Sequence, residues 1–131
     1  MKRIPFTLIV VAAVAGCGDG SRSDVSYTVV TSATHDCTKE PHASIEISDT
    51  AISLTGTCER ILVKGGNNKL TIEAAKRIDV DGAKNVIEVG AADSIRVNGA
   101  GNTINYKNKG VTKDRPAVEA IGDGNSLNQS D

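Results

Sequence analysis

Aromatic side chains are scarce in this sequence, whose 131 residues include two tyrosines, one phenylalanine and no tryptophan. A basic patch is lacking as well, because the 15 lysines and arginines are scattered among 16 acidic residues. Nucleic-acid binding needs cations that neutralise phosphates and rings that stack on bases, and sugar-binding platforms need rings too. We therefore expect no nucleic-acid partner, no small-molecule substrate and no cofactor.

A long apolar run that could cross a membrane is also missing. Lys2 and Arg3 precede an apolar segment at residues 4–13, which is much shorter than the ~20 residues that a spanning helix requires. A basic start, a short apolar segment and small residues before a cysteine are typical of a cleaved export signal. We therefore expect the chain to leave the cytoplasm.

The residues around Cys17 indicate how the exported protein is held. Val14-Ala15-Gly16-Cys17 resembles the lipobox of bacterial lipoproteins, in which the cysteine is acylated and becomes the first residue. The resemblance implies a signal peptide at 1–16, a lipidated Cys17 that opens a flexible tether at 17–26, and a domain at 27–131. An ordinary secreted protein with an incidental cysteine is the alternative.

Lipidation would place the protein in the cell envelope, with the membrane as its first partner. Each buried lipid CH₂ contributes ~0.8 kcal/mol, so that two or three acyl chains anchor firmly. Gly18 follows the cysteine, where an aspartate would resemble an inner-membrane retention signal. In a cell with two membranes we therefore expect the outer membrane, facing the periplasm or the cell surface.

Cysteine is used sparingly, and Cys37 and Cys58 remain once Cys17 is set aside. Two thiols in an exported domain predict a disulfide. A redox pair is the alternative, but it would favour the C-x-x-C spacing, which is absent here. We expect the disulfide to be structural.

The most informative feature is an internal repeat. Each of four units begins with Ile or Val, has glycine four places on, asparagine seven places on and Leu or Ile nine places on. The turn residues are Gly65 and Asn68, Gly82 and Asn85, Gly99 and Asn102, and Gly122 and Asn125. The first three units begin 17 residues apart, at Ile61, Ile78 and Ile95. A repeat of this length governs the choice of fold.

Within a unit the apolar residues alternate with period two, as in IDV and IEV, which predicts strands. Each unit is thus interpreted as strand, turn, strand, turn, with the second turns at 73–77 and 90–94. The segment 45–54 looks like an earlier unit with a shorter turn. Tyr27–Thr31 is interpreted as a first strand, and Ser32–Ser44 as a loop.

Two folds can use such a unit. In a parallel β-solenoid each unit forms one coil of ~17 residues and equivalent positions stack, whereas in an antiparallel meander or sandwich each Gly-x-x-Asn closes a hairpin. Stacked positions match in size, as in Ile61, Ile78 and Ile95, and outward charges would be opposite, with Lys64 on Asp81 and Asp79 on Arg96. The fold class we predict is therefore all-β, a short parallel β-solenoid.

The repeated I-x-V-x-G-x-x-N-x-I, preceded by LTGTC at 54–58, resembles a bacterial family catalogued as domain of unknown function 3060. Its members are small exported proteins, often lipoproteins. The resemblance spans roughly residues 37–128 and includes the two cysteines and the break at 107–117. It implies a fold and carries no activity.

The candidates for chemistry are few. The Gly-x-x-Asn turns could hold an ion, but glycine and asparagine also tolerate positive φ, and stacked asparagines can bond one another. A polysaccharide-active enzyme would use outward acids such as Asp79, Asp81, Glu88 and Asp93, among which no pair stands out. His35, Asp36, Glu40 and His42 could bind a metal, yet we interpret the histidines as exposed loop residues.

The function we expect is therefore a lipid-anchored envelope protein that is not an enzyme. Its role would be structural or interaction-based, through a strand face or coil edge that contacts another envelope protein. A polysaccharide-active enzyme or a metal-binding lipoprotein is the alternative.

Overall fold

The computed structural model describes residues 26–130. The predicted signal peptide at 1–16, Cys17 and all but the last residue of the predicted tether lie outside the described residues, as does Asp131. The described part consists of nine strands joined by turns. They are β1 (Thr28–Val29), β2 (Thr34–Asp36), β3 (His42–Ile45), β4 (Ala51–Val63), β5 (Lys69–Val80), β6 (Val86–Asn98), β7 (Thr103–Lys107), β8 (Ala117–Ile121) and β9 (Ser126–Ser130). No helix in this part of the chain is long and apolar enough to cross a membrane.

Every strand pair in the described residues is parallel, which confirms the solenoid and excludes the meander. The register between β5 and β6 is 17 residues throughout, for example Ile78 to Ile95. The described residues form about five turns of the solenoid. The long strands β4, β5 and β6 each turn a corner, so each contributes to two strand faces. The first face consists of β2, the first halves of the long strands, β7 and β9. The second face consists of β1, β3, the second halves of the long strands and β8.

The core is a set of apolar columns that run through the coils. Ile61, Ile78 and Ile95 stack in one column and are at most 1% exposed. The other inward positions of the repeat behave likewise, because period-two alternation places them on the inner side of each strand. A buried Ile, Leu or Val contributes roughly 1.5–3 kcal/mol, so the columns supply most of the apolar burial in the domain.

The second turn of each unit was predicted wrongly. Residues 73–77 lie inside β5 and residues 90–94 inside β6, and the ladder continues around the corner with Ala75 paired to Ala92. Both alanines are buried. A small inward side chain lets the strand bend sharply without leaving its hydrogen-bonded neighbour, so no separate turn is needed.

The first coil also differs from the expectation. It starts at Ala43, which pairs with Ile61, and Ile45 pairs with Val63. Its turn is as long as the next one, because Ile45 pairs with Val63 before the turn and Ala51 pairs with Lys69 after it. Thr50 takes the position that Asn68 has in the next coil, and it donates hydrogen bonds to Asn68. Residues 32–44 are not simply a loop, since β2 and the start of β3 lie there, and the predicted first strand is limited to β1.

The N-terminal end of the solenoid consists of two short strands and a disulfide. β1 and β2 each pair with one neighbour, and the predicted disulfide joins Cys37 to Cys58 with their Cα atoms 4.8 Å apart. Both cysteines are buried. The disulfide thus fastens the segment after β2 to the middle of β4, where that strand turns the corner.

Candidate functional site

The asparagines of the Gly-x-x-Asn turns form a column along one side of the solenoid. The side-chain oxygen of Asn85 accepts a hydrogen bond from the backbone N–H of Asn68 at 3.0 Å, and Asn102 and Asn125 do the same for the coil before them. Asn68, Asn85 and Asn102 are at most 1% exposed. The column ends at Thr50, whose N–H and hydroxyl both donate to Asn68.

The amide nitrogens of the same asparagines bind the glycines. Asn85 Nδ2 donates to the carbonyl of Gly65 at 3.0 Å, and Asn102 Nδ2 donates to that of Gly82 at 2.9 Å. Each side chain therefore joins its own turn to the preceding one. The oxygen and the nitrogen of each amide are thus both used in hydrogen bonds within the protein.

The turn glycines are required by close approach of neighbouring coils. A Cβ placed on Gly82 would lie 2.1 Å from the carbonyl oxygen of Gly65, and one on Gly99 would lie 1.9 Å from that of Gly82. Positive φ falls two places after the glycine, at Asn67, Lys84 and Gly101. The expectation that the glycine and asparagine of the motif themselves adopt positive φ was thus misplaced, except at Gly122.

Asp93 was expected to point outward and is instead 6% exposed. Its carboxylate accepts hydrogen bonds from the backbone N–H groups of Val111, Thr112 and Lys113 at 2.7, 2.8 and 3.1 Å, and from the Thr112 hydroxyl at 2.6 Å. Burial acts to raise the pKa of Asp93, but the hydrogen bonds from Thr112, Val111 and Lys113 outweigh it and lower the pKa to about 2. Asp93 thus fastens the insertion 107–117 to the corner of β6.

No signal in the sequence indicated that Asp93 would be buried and would bind the insertion. It occupies the position that Lys76 has one coil earlier, and only the presence of a longer loop in the next coil distinguishes it. The backbone of that loop needs acceptors, and Asp93 provides them.

The two histidines of the predicted loop lie on different strands. His35 is 8% exposed on β2, and its Nε2 lies 2.9 Å from the carbonyl oxygen of Glu40, so it is not the exposed loop residue we expected. His42 lies on β3 and packs edge-on against Tyr27. No group of three His, Cys, Asp or Glu residues within 26–130 could hold a metal ion.

The acids that were expected to face outward lie in different settings. Asp79 pairs in register with Arg96 as predicted, but its carboxylate binds Arg60 and Arg77, each at 3.0 Å. Glu88 lies on the opposite strand face beside a shallow depression of about 290 Å³ that Tyr106 also lines. Asp81 and Lys64 make no ion pair with each other. The outward face thus combines isolated acids with local ion pairs.

The fold and the turn column together define a class: a short parallel β-solenoid whose coils are held together by a column of asparagines and glycines. A family model described as "Protein of unknown function (DUF3060)" matches residues 45–87 and 76–124. The chain belongs to that family. Comparison with curated proteins and with solved structures gave no match.

Proposed function

We propose that this protein is a lipid-anchored, non-catalytic interaction module of the cell envelope. The main support for the proposal is that the buried polar side chains of the repeat bind the protein's own backbone. The Asn column and Asp93, where a repeat protein could concentrate reactive groups, bind the backbone of their own chain. What remains accessible is strand edge and outward strand face.

The edge of the last coil is the surface best suited to a protein partner. Among residues 26–130, β8 pairs only with β6 and β9 only with β7. Ser126 N–H donates to Asn102 O, and Ser130 O accepts from Asn108 N–H, so that these residues direct their backbone groups toward β7. Because alternate residues of a strand face opposite neighbours, the backbone groups of Leu127 and Gln129 face outward.

An open edge of this kind is a template for strand addition by a second chain. Gln129 and Ser130 carry no charge, and β9 contains neither a lysine nor a proline that would block pairing. Val118 and Leu127 are half-buried beneath the edge. An extended segment of another envelope protein would gain backbone hydrogen bonds and cover these side chains.

We assign the membrane anchor and the partner-binding edge to opposite ends of the solenoid. The described chain starts at Ser26, directly before β1, so an anchor on Cys17 would attach to the end of the stack that the Cys37–Cys58 disulfide fastens. The open edge lies at the other end of the stack. This supports a module that is held at the membrane, the outer membrane where there are two, and presents its last coil away from the lipid.

A proline tests the edge without disturbing the ladder. Gln129→Pro removes an N–H that faces outward and none that binds β7, so the domain should keep its strand content by circular dichroism. The matched control Gln129→Thr keeps the N–H. Cross-linking and purification of the full chain from detergent-solubilised envelope should recover a partner with the wild type and with Gln129→Thr but not with Gln129→Pro.

The anchor has its own test. Cys17→Ser should move the protein from the membrane fraction to the soluble fraction and abolish incorporation of labelled palmitate, whereas Cys37→Ser should leave the labelling unchanged. Equal recovery of the partner with both Gln129 variants would contradict the role of the edge. Membrane retention of Cys17→Ser without palmitate would contradict the anchor.

A further inference from the structure

The outward face that contains β8 has a depression walled by two arginines. The row Arg60, Arg77, Ser94 and Ala117 crosses this face through successive coils, and its side chains shorten along the row. The two small residues leave a space of about 240 Å³ between Arg77 and the neighbouring row of Arg96 and Glu119. The depression is therefore formed by the order of large and small side chains in two adjacent rows.

Several donors around this depression make no hydrogen bond to other residues of 26–130. Arg77 Nε donates to Asp79 at 3.0 Å, and Asp79 is also bound by Arg60, which leaves the terminal nitrogens of Arg77 available. Arg96 Nε lies 3.6 Å from Glu119 Oε1, beyond hydrogen-bond distance. Within residues 26–130 neither the Arg96 guanidinium nor the Ser94 hydroxyl makes a hydrogen bond.

The charges of the two rows leave one positive charge in excess. Three guanidiniums, those of Arg60, Arg77 and Arg96, face two carboxylates, those of Asp79 and Glu119. Arg77 and Arg96 are about half exposed, at 47% and 53%, and so can be reached from solvent. An anion in the depression would therefore offset this positive charge and accept hydrogen bonds from donors that no group within residues 26–130 occupies.

We propose that the depression lined by Arg77, Ser94 and Arg96 is a binding site for a phosphate group. Guanidinium forks bind phosphate through paired hydrogen bonds, and a hydroxyl between them matches a third oxygen. A tetrahedral phosphate has enough acceptors for donors on several sides, whereas a carboxylate has two oxygens in one plane. Glu119 is the competitor, because it lines the same depression and its carboxylate lies 3.6 Å from Arg96 Nε. This site does not depend on the strand edge or on the lipid anchor.

The first arm of the test is calorimetric titration of the full chain in detergent with inorganic phosphate at low salt. Arg96→Gln is the main variant, because Arg96 makes no hydrogen bond whose loss would unfold the domain. It should weaken binding by about tenfold, the usual effect of losing one charge-assisted hydrogen bond. Glu119→Gln should strengthen binding several-fold. Lys64→Gln, which removes an exposed cation outside the depression, is the matched control and should bind like the wild type.

A second arm distinguishes the source of the phosphate. The Cys17→Ser chain is mixed with phosphatidylcholine vesicles with and without phosphatidic acid, and co-sedimentation is measured. Binding of inorganic phosphate without vesicle binding would assign a soluble phosphate ligand, and Arg96-dependent binding to phosphatidic acid would assign a lipid headgroup. Absence of binding in both arms, or equal loss with Lys64→Gln and Arg96→Gln, would overturn the proposal.

Discussion

The Asn column makes the clearest prediction about stability, at Asn102 in the middle of the stack. Asn102→Ala removes four side-chain hydrogen bonds: two donated to Gly82 and Asn125, and two accepted from the N–H and the amide of Asn85. The side chain is 0% exposed, so water cannot simply replace it. The substitution leaves at least the Asn85 N–H and the Gly82 carbonyl without these partners.

Each buried polar group left unpaired costs about 1–3 kcal/mol, so two of them should lower the free energy of unfolding by roughly 2–6 kcal/mol. With a denaturant slope of about 2 kcal/mol per molar urea, the midpoint of unfolding should fall by about 1–3 M. Urea titration followed by circular dichroism measures this shift, with the disulfide kept oxidised.

Asn98→Ala is the matched control, because Asn98 is exposed and its side chain makes no hydrogen bond within residues 26–130. It should change the stability by no more than about 0.5 kcal/mol, as surface substitutions usually do. If Asn102→Ala costs less than about 1 kcal/mol, or no more than Asn98→Ala, the column does not hold the coils together and the reasoning is refuted.

Three further predictions concern the glycines, the disulfide and the insertion. Gly82→Ala should destabilise more than Gly66→Ala in urea, by about 1–3 kcal/mol, because its Cβ would lie 2.1 Å from a carbonyl oxygen and that of Gly66 3.0 Å from one; equal midpoints would refute this. Replacing both Cys37 and Cys58 by alanine should cost about 3 kcal/mol for a loop closed over a separation of 21 residues, and an unchanged melting temperature would contradict it. Asp93→Ala should speed tryptic cleavage within the insertion, and unchanged cleavage would exclude the fastening role. Because the folded pKa of Asp93 is lowered to about 2, its contribution is present above about pH 4 and is lost as the pH falls towards 2. Wild type should therefore lose stability over that range, and Asp93→Ala should lose less.

The repeat could be recognised in the sequence because equivalent positions in successive coils of a solenoid have the same surroundings. An inward position at Ile61 must fit the one at Ile78, so side-chain sizes recur, and the 17-residue spacing recurs with them. The glycine and asparagine recur for the same reason, since each turn lies against the one before it. Period-two alternation then supplied the strand type without any knowledge of the tertiary structure.

The features that sequence reasoning missed depend on contacts between residues that no pattern links. The first coil uses Ile47 and Thr50 where the others use glycine and asparagine, so its equivalence became visible only through the pairing of β3 with β4. The corners at 73–77 looked like turns because alanines and charges interrupt the alternation. They remain part of a β-strand because they pair with residues of the neighbouring coils.

The sequence alone thus determined the parallel coil, its length and the apolar columns, because these follow from repetition along the chain. The disulfide followed from the presence of two cysteines, besides Cys17, in a domain that we expect to be exported. The tertiary structure decided where the individual polar groups go: that the Asn oxygens bind the preceding coil, that Asp93 turns inward to hold the insertion, and that Asp79 binds Arg60 and Arg77. The physical reason is that an apolar column repeats the same requirement for a buried side chain in every coil, and the sequence shows this repetition. A single hydrogen bond depends on the position of one donor and one acceptor, which the sequence does not show.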